Sequence, residues 1–158
     1  MLTGALASSY YGRPRTTLDV DVVVRVTDGD LAQLTEVLTN AGLKAQGRDL
    51  RKAWRSEYRI ITIEDERSAY TLDIILTDDE LERKPGSIVG LRTYYQTPES
   101  LILAKLRMIK ATLRPEKAMT DREDIKAILK STRLRLDILR KRAKSQGTQE
   151  ILEDSMRE

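Results

Sequence analysis

The run Asp19-Val20-Asp21-Val22-Val23-Val24 constrains the fold of this chain more than any other stretch. Valine, branched at Cβ, favours the extended backbone, whereas aspartate is depleted in strands, so two aspartates inside this run oppose the local propensity. Side chains alternate along a strand, which puts Asp19, Asp21, Val23 and Arg25 on one face and Val20, Val22, Val24 and Val26 on the other. The valine face suits a core. On the opposite face two neighbouring carboxylates repel each other unless a proton or a cation lies between them, or unless water simply solvates both. A divalent cation is the simplest neutraliser, and Mg²⁺ binds through one or two carboxylates together with substrate phosphates.

A third carboxylate is available. In Tyr70-Thr71-Leu72-Asp73-Ile74-Ile75-Leu76 an aspartate again stands alone inside a strand-like run, where a neighbouring strand would supply the next ligand. The chain contains no histidine and no cysteine. Disulfides, zinc-thiolate sites and thiol nucleophiles are thereby excluded, and the ligands that remain are oxygens, which select hard cations such as Mg²⁺ or Mn²⁺.

At 158 residues the chain is long enough for one ordinary domain with a helical appendage. It has no Phe and a single Trp, so its core must come from Leu, Ile, Val and Ala. A net charge of +3 weakly favours polyanionic partners. No apolar run reaches the length of a membrane span, and the start lacks the basic region and long apolar stretch of a signal peptide. The expected setting is cytoplasmic, without a membrane partner.

Residues 3–12 read as a short helix, 17–26 as a strand, and 31–40 as a helix capped by Thr27-Asp28-Gly29-Asp30 and ended by Asn40-Ala41-Gly42. Strands at 58–64 and 69–76 are joined by a loop of hairpin length. The charged stretch 77–87, with Pro85-Gly86, reads as a loop before a strand at 88–95. Helices follow at 97–112, 121–130, 133–144 and 148–156, the first opened by Thr97-Pro98-Glu99 and broken at Arg114-Pro115. The expected class is α/β (α+β), with a mixed-sheet core over residues 1–96 and a helical portion over 97–158 packed on it. Arg133, Arg135, Arg140, Lys141, Arg142 and Lys144 read first as a solvated helix face and second as a nucleic-acid contact.

With three strand aspartates in place, the chain resembles the nucleotidyltransferase superfamily that includes DNA polymerase β, and in particular its small prokaryotic AbiEii-like branch. Gly4-Ala5 is followed by 13 residues, then Asp19-Val20-Asp21 between apolar residues, then Asp73 on a later strand. The string Gly12-Arg13-Pro14-Arg15-Thr16-Thr17-Leu18-Asp19-Val20-Asp21 is similar to that branch's G-x-P-R-x-T-x-D-x-D run. Pro98-Glu99-Ser100-Leu101, Lys105-Leu106 and Asp121-Arg122-Glu123-Asp124-Ile125 resemble its helical part. Two departures stand out: Ala5 replaces the family's Gly or Ser, with Ser8 or Ser9 as a substitute hydroxyl, and a helix and strand precede the Gly motif in relatives whereas three residues precede it here.

The resemblance implies a metal-dependent transfer of a nucleoside monophosphate from an NTP to a hydroxyl of tRNA, a protein or a small molecule. Asp19 and Asp21 would hold two metals, and Asp73 the one nearest the acceptor. Gly4, Ala5 and Ser8 would face the triphosphate, and Arg13, Arg15 and Lys105 would either add cations there or make structural ion pairs. Asp121 and Asp124 would orient helices or basic residues. A toxin-antitoxin setting with an antitoxin partner is implied as well. Two rivals are an inactive module of the same fold that binds nucleotide or protein, and a basic RNA-binding protein whose aspartates are incidental.

Overall fold

The computed structural model describes residues 1–12 and 14–157. In chain order the elements are α1 (Gly4–Tyr11), β1 (Asp19–Arg25), a 3-10 turn (Asp28–Asp30), α2 (Leu31–Asn40), α3 (Gly47–Trp54), β2 (Ile60–Glu64), β3 (Thr71–Thr77), β4 (Arg83–Ile88), β5 (Leu91–Gln96), α4 (Pro98–Ala111), α5 (Pro115–Ser131), α6 (Leu136–Ser145) and α7 (Gln149–Arg157). The chain is a mixed α/β protein that divides into two compact units. One comprises Met1–Leu6 and Thr16–Tyr95, the other Ala7–Arg15 and Gln96–Glu158.

The first unit is built on a three-stranded sheet in the order β1-β3-β2, with β1 and β3 parallel and β2 antiparallel to β3. Alternation sends Val22 and Val24 of β1, followed by Val26 just beyond it, with Leu72, Ile74 and Leu76 of β3 and Ile61 and Ile63 of β2, to one face. Leu31 and Leu38 of α2 and Leu50 and Ala53 of α3 close over that face. Each large side chain buried there contributes about 1.5–3 kcal/mol, enough to fix the register against a one-residue slip that would turn the aspartates inward. Met1 to Thr3 run along the other edge of β1. The Val23 N–H donates to the Met1 carbonyl at 2.8 Å, and the Thr3 N–H to the Asp21 carbonyl at 3.0 Å. Leu2 also donates its N–H to the Tyr94 carbonyl at 2.7 Å, which ties this edge to the two-stranded β4-β5 sheet.

Three expectations need correction. Residues 77–87 are not all loop, because Arg83–Ile88 form β4. Pro85 is tolerated there because a two-stranded sheet has only edge strands, and an edge strand has backbone groups outside the ladder. The turn lies instead at Val89-Gly90, both at positive φ (48° and 77°), so the last strand begins at Leu91 rather than at residue 88. Second, Pro115 opens α5 as well as closing the preceding segment, because its missing N–H costs nothing in a helix's first turn. Third, α3 was not anticipated. Its apolar stripe consists only of Leu50, Ala53 and Trp54 among four charged residues and a glycine.

In the second unit α4 carries buried residues on more than one side, including Leu101, Ile102, Leu103 and Leu106, and it packs on α5 and α6. Such a helix is the centre of its bundle. Tyr11 and Gly12 dock here too: the Thr132 hydroxyl donates to the Tyr11 carbonyl at 2.8 Å, and a Cβ on Gly12 would meet Ala127 at 3.0 Å. Among the described residues no helix is long and apolar enough to cross a membrane.

Candidate functional site

The parallel register sets Asp21 directly beside Asp73 and Asp19 beside Thr71. The antiparallel register sets Thr62 on the far side of Asp73. Residues paired across neighbouring strands share a face, so Asp19, Asp21 and Asp73 all project from the side of the sheet opposite the core. Sequence alternation alone relates Asp19 to Asp21; only the register brings in Asp73.

Each carboxylate has its own surroundings. The Thr71 hydroxyl donates to Asp19 Oδ1 at 2.8 Å, and the Thr62 hydroxyl donates to Asp73 Oδ1 at 2.5 Å. Asp21 turns toward the start of α1, where an added Cβ on Gly4 would lie 2.0 Å from Asp21 Oδ2. Gly4 has φ +58°, a left-handed conformation that glycine adopts without steric cost. The carboxylate therefore rests against the positively polarised end of a helix, a favourable place for an anion.

Among the described residues no three acidic side chains converge closely enough to enclose one cation. Asp19 and Asp73 are instead directed to Thr71 and Thr62. In donor chemistry, all carboxylate oxygen, and in backbone placement on one face, the three aspartates fit a hard divalent cation. In side-chain direction they stand apart. Thr62 and Thr71 complete this face; Thr71 carries a sequence signal, two residues before Asp73 on the same strand, whereas Thr62 is placed by the β2–β3 register.

The other expected site residues fall as follows. Gly4 and Ala5 open α1, Ala5 being buried. Ser8 is also buried, and Ser9 accepts the Arg15 N–H at 3.2 Å. Arg13 lies outside the described residues. In the second unit Lys105 donates to Asp121 Oδ1 at 2.7 Å and sits 2.8 Å from Asp124 Oδ2, while Arg15 Nε approaches Asp124 Oδ1 at 3.4 Å. Lys105, Asp121 and Asp124 are all buried. Two acids of α5 thus share the Lys105 ammonium, an arrangement that ties α4 to α5. Of the helical basic cluster, Arg135 pairs with Glu99 and Arg140 with Glu153.

Burial alone would push the Glu99 carboxyl up. Hydrogen bonds from the Arg135 N–H at 2.9 Å and from its own helix backbone, together with the Arg135 guanidinium, outweigh that and hold it below the ordinary glutamate value.

No family model and no curated protein sequence matches the chain. Among solved structures, the chain is similar to an antigenic nucleotidyltransferase-like protein from Paracoccidioides brasiliensis, at 17% identity and a TM-score of 0.56, over 82% of this chain and 66% of that one. The Megavirus polyadenylate synthase is matched at 20% identity and a TM-score of 0.49, over 82% of this chain and 28% of that one. The chain therefore spans somewhat under two thirds of the first protein and about a quarter of the second. The fold is a mixed α/β architecture of the nucleotidyltransferase-like kind.

Proposed function

We propose that this chain is a metal-dependent nucleotidyltransferase that moves a nucleoside monophosphate from an NTP to a hydroxyl acceptor. The reading rests on one observation above all: the β1–β3 register that pairs Asp21 with Asp73 and leaves Asp19 on the same face. The likeness in fold to a nucleotidyltransferase-like protein supports it.

In nucleotidyl transfer the protein has little covalent chemistry to perform, so positioning and charge neutralisation dominate. Asp19, Asp21 and Asp73 would hold Mg²⁺ or Mn²⁺, which supplies neutralisation of the phosphate oxygens and of the attacking and leaving oxygens. Asp73 receives the proton of the acceptor hydroxyl as that oxygen bonds to the α-phosphorus and the α–β phosphoanhydride bond breaks to release pyrophosphate, and Thr62 fixes the direction of the Asp73 carboxylate. Gly4, having no side chain, leaves room at the first turn of α1 for the Asp21 carboxylate, which would present bound metal to the phosphates. The acceptor belongs to tRNA, a protein or a small molecule. Within the AbiEii-like branch, the protein would act as a toxin-antitoxin component with an antitoxin partner.

The test is incubation with NTPs labelled at the α-phosphate, Mg²⁺ and a cell extract. Label transferred by the wild type and lost in Asp19→Ala and Asp73→Ala is the expected result. Label transferred equally well by both variants would sink the reading. Nucleotide binding without any transfer would make the chain an inactive module of the same fold.

A further inference from the structure

The β4-β5 hairpin carries a second surface that the aspartate face does not use. The Arg83 guanidinium lies 4.2 Å from the centre of the Tyr94 ring, so these two side chains share a face of the hairpin. Alternation then puts Pro85 and Ser87 with Arg83, and Arg92 with Tyr94. Arg83, Pro85, Ser87, Arg92 and Tyr94 are all exposed. Tyr95, on the opposite face, is only 3% exposed and donates its hydroxyl to the Ser87 carbonyl at 3.0 Å. The hairpin is thus anchored by its inner face and presents its outer one.

That outer face has a definite chemistry. A depression of about 510 Å³ lies there, lined by Pro85, Gly86, Arg92, Thr93 and Tyr94. This is within the volume range of small-molecule pockets. Among the described residues neither Arg83 nor Arg92 makes an ion pair, although acidic residues precede β4. Asp78 and Glu80 are spent on Arg59 and Arg25. Two unneutralised guanidiniums beside a tyrosine ring that is 44% exposed supply what a flexible phosphate strand needs, namely cations for its backbone and a flat surface for an unstacked base. An acidic peptide would use the arginines but leave the ring and the depression without a counterpart. Arg135 and Arg140 of the helical basic cluster, by contrast, already face carboxylates.

We infer that the outer face of the β4-β5 hairpin binds single-stranded nucleic acid, with a base stacked at Tyr94 and phosphates at Arg83 and Arg92. This goes beyond the transferase reading and does not depend on it.

The experiment is fluorescence anisotropy of the full chain with a short fluorescein-labelled single-stranded RNA at several salt concentrations. Tyr94→Ala is expected to weaken binding roughly fivefold or more, whereas Tyr94→Phe retains the stacking surface and binds as wild type. Arg92→Ala lowers the slope of log affinity against log salt by about one, and Arg92→Lys restores it. Asp19→Ala and Asp73→Ala leave the affinity unchanged, which separates this surface from the transferase site. Circular dichroism on each variant identifies loss of fold. Wild-type affinity in folded Tyr94→Ala and Arg92→Ala would overturn the inference, as would weakening by Lys141→Glu alone. Displacement of the RNA by polyglutamate as readily as by unlabelled strand would also overturn it, assigning the face to an acidic protein.

Discussion

Gly4 and Asp21 occupy space that only one side chain can fill. An added Cβ at Gly4 would stand 2.0 Å from Asp21 Oδ2 and 3.0 Å from Asp21 Cβ, and Gly4 holds a positive φ as well. Two costs therefore combine in Gly4→Ala: about 1–2 kcal/mol for a left-handed alanine and a further loss from displacing the carboxylate. Urea unfolding should show a drop of about 2 kcal/mol or more. Asp21→Ser, introduced into the Gly4→Ala background, should return part of that loss but none of the backbone share, a coupling that a double-mutant cycle measures.

Thr62 donates to Asp73, and Thr71 to Asp19, each from a neighbouring strand position. Partners that orient ligating groups typically matter by about 10–100-fold in metal affinity. Thr62→Val, which keeps the shape and removes the donor, should weaken Mn²⁺ binding by roughly tenfold in a titration followed by electron paramagnetic resonance, and Thr62→Ser should restore it. Equal Mn²⁺ affinity in all three proteins would deny Thr62 this orienting role.

Lys105 is the cation between two buried carboxylates. Removing it leaves Asp121 and Asp124 facing each other in a poorly solvated place, so Lys105→Met should cost about 3–5 kcal/mol in denaturant unfolding. Adding Asp121→Asn to that variant should recover part of the loss, because the remaining charge keeps Arg15 as its neighbour. A Lys105→Met protein as stable as wild type would show that the ion cluster holds nothing together.

Glu99 gives a pH signature. Its carboxyl is held below the ordinary value of 4.5 in the folded chain. The folded state therefore binds the Glu99 proton less readily than the unfolded state does, and its stabilisation is complete above the ordinary glutamate range. It is lost as pH falls through the lowered value. The stability difference between wild type and Glu99→Gln should accordingly be constant near neutrality and shrink below about pH 4.5. A difference that stays constant into the acid range would mean that Glu99 titrates as a free glutamate.

The sequence made the aspartate face legible because strand alternation is a local rule. Asp19 and Asp21 follow from period two, and Asp73 stands out as the one charge in an apolar run. Which residue faces Asp21 is a different kind of fact, since a parallel pairing between segments some 50 residues apart is decided by the packing of the valine and isoleucine face on α2 and α3. Strand β4 escaped because Pro85-Gly86 imitates a turn, while the real turn uses Val89, a β-branched residue at positive φ that gives no turn signal. Helix α3 escaped because only Leu50, Ala53 and Trp54 mark its buried side. Lys105 and Arg15 remained open between phosphate and carboxylate partners, and three-dimensional packing supplied Asp121 and Asp124.

The path of the chain through its two units has a practical result for anyone who divides it. The second unit takes Ala7–Arg15 from near the beginning and Gln96–Glu158 from the end. A fragment stopped at residue 96 would keep Tyr11, Gly12 and Arg15 but lose Thr132, Ala127 and Asp124, their neighbours. It would carry a sticky, unclothed helix into solution and is expected to aggregate on expression. A usable fragment would need its two cuts at residues 15–16 and 95–96, which severs the very strand stub, Met1 to Thr3, that borders the sheet. Protein expressed for assay should therefore retain the C-terminal helices.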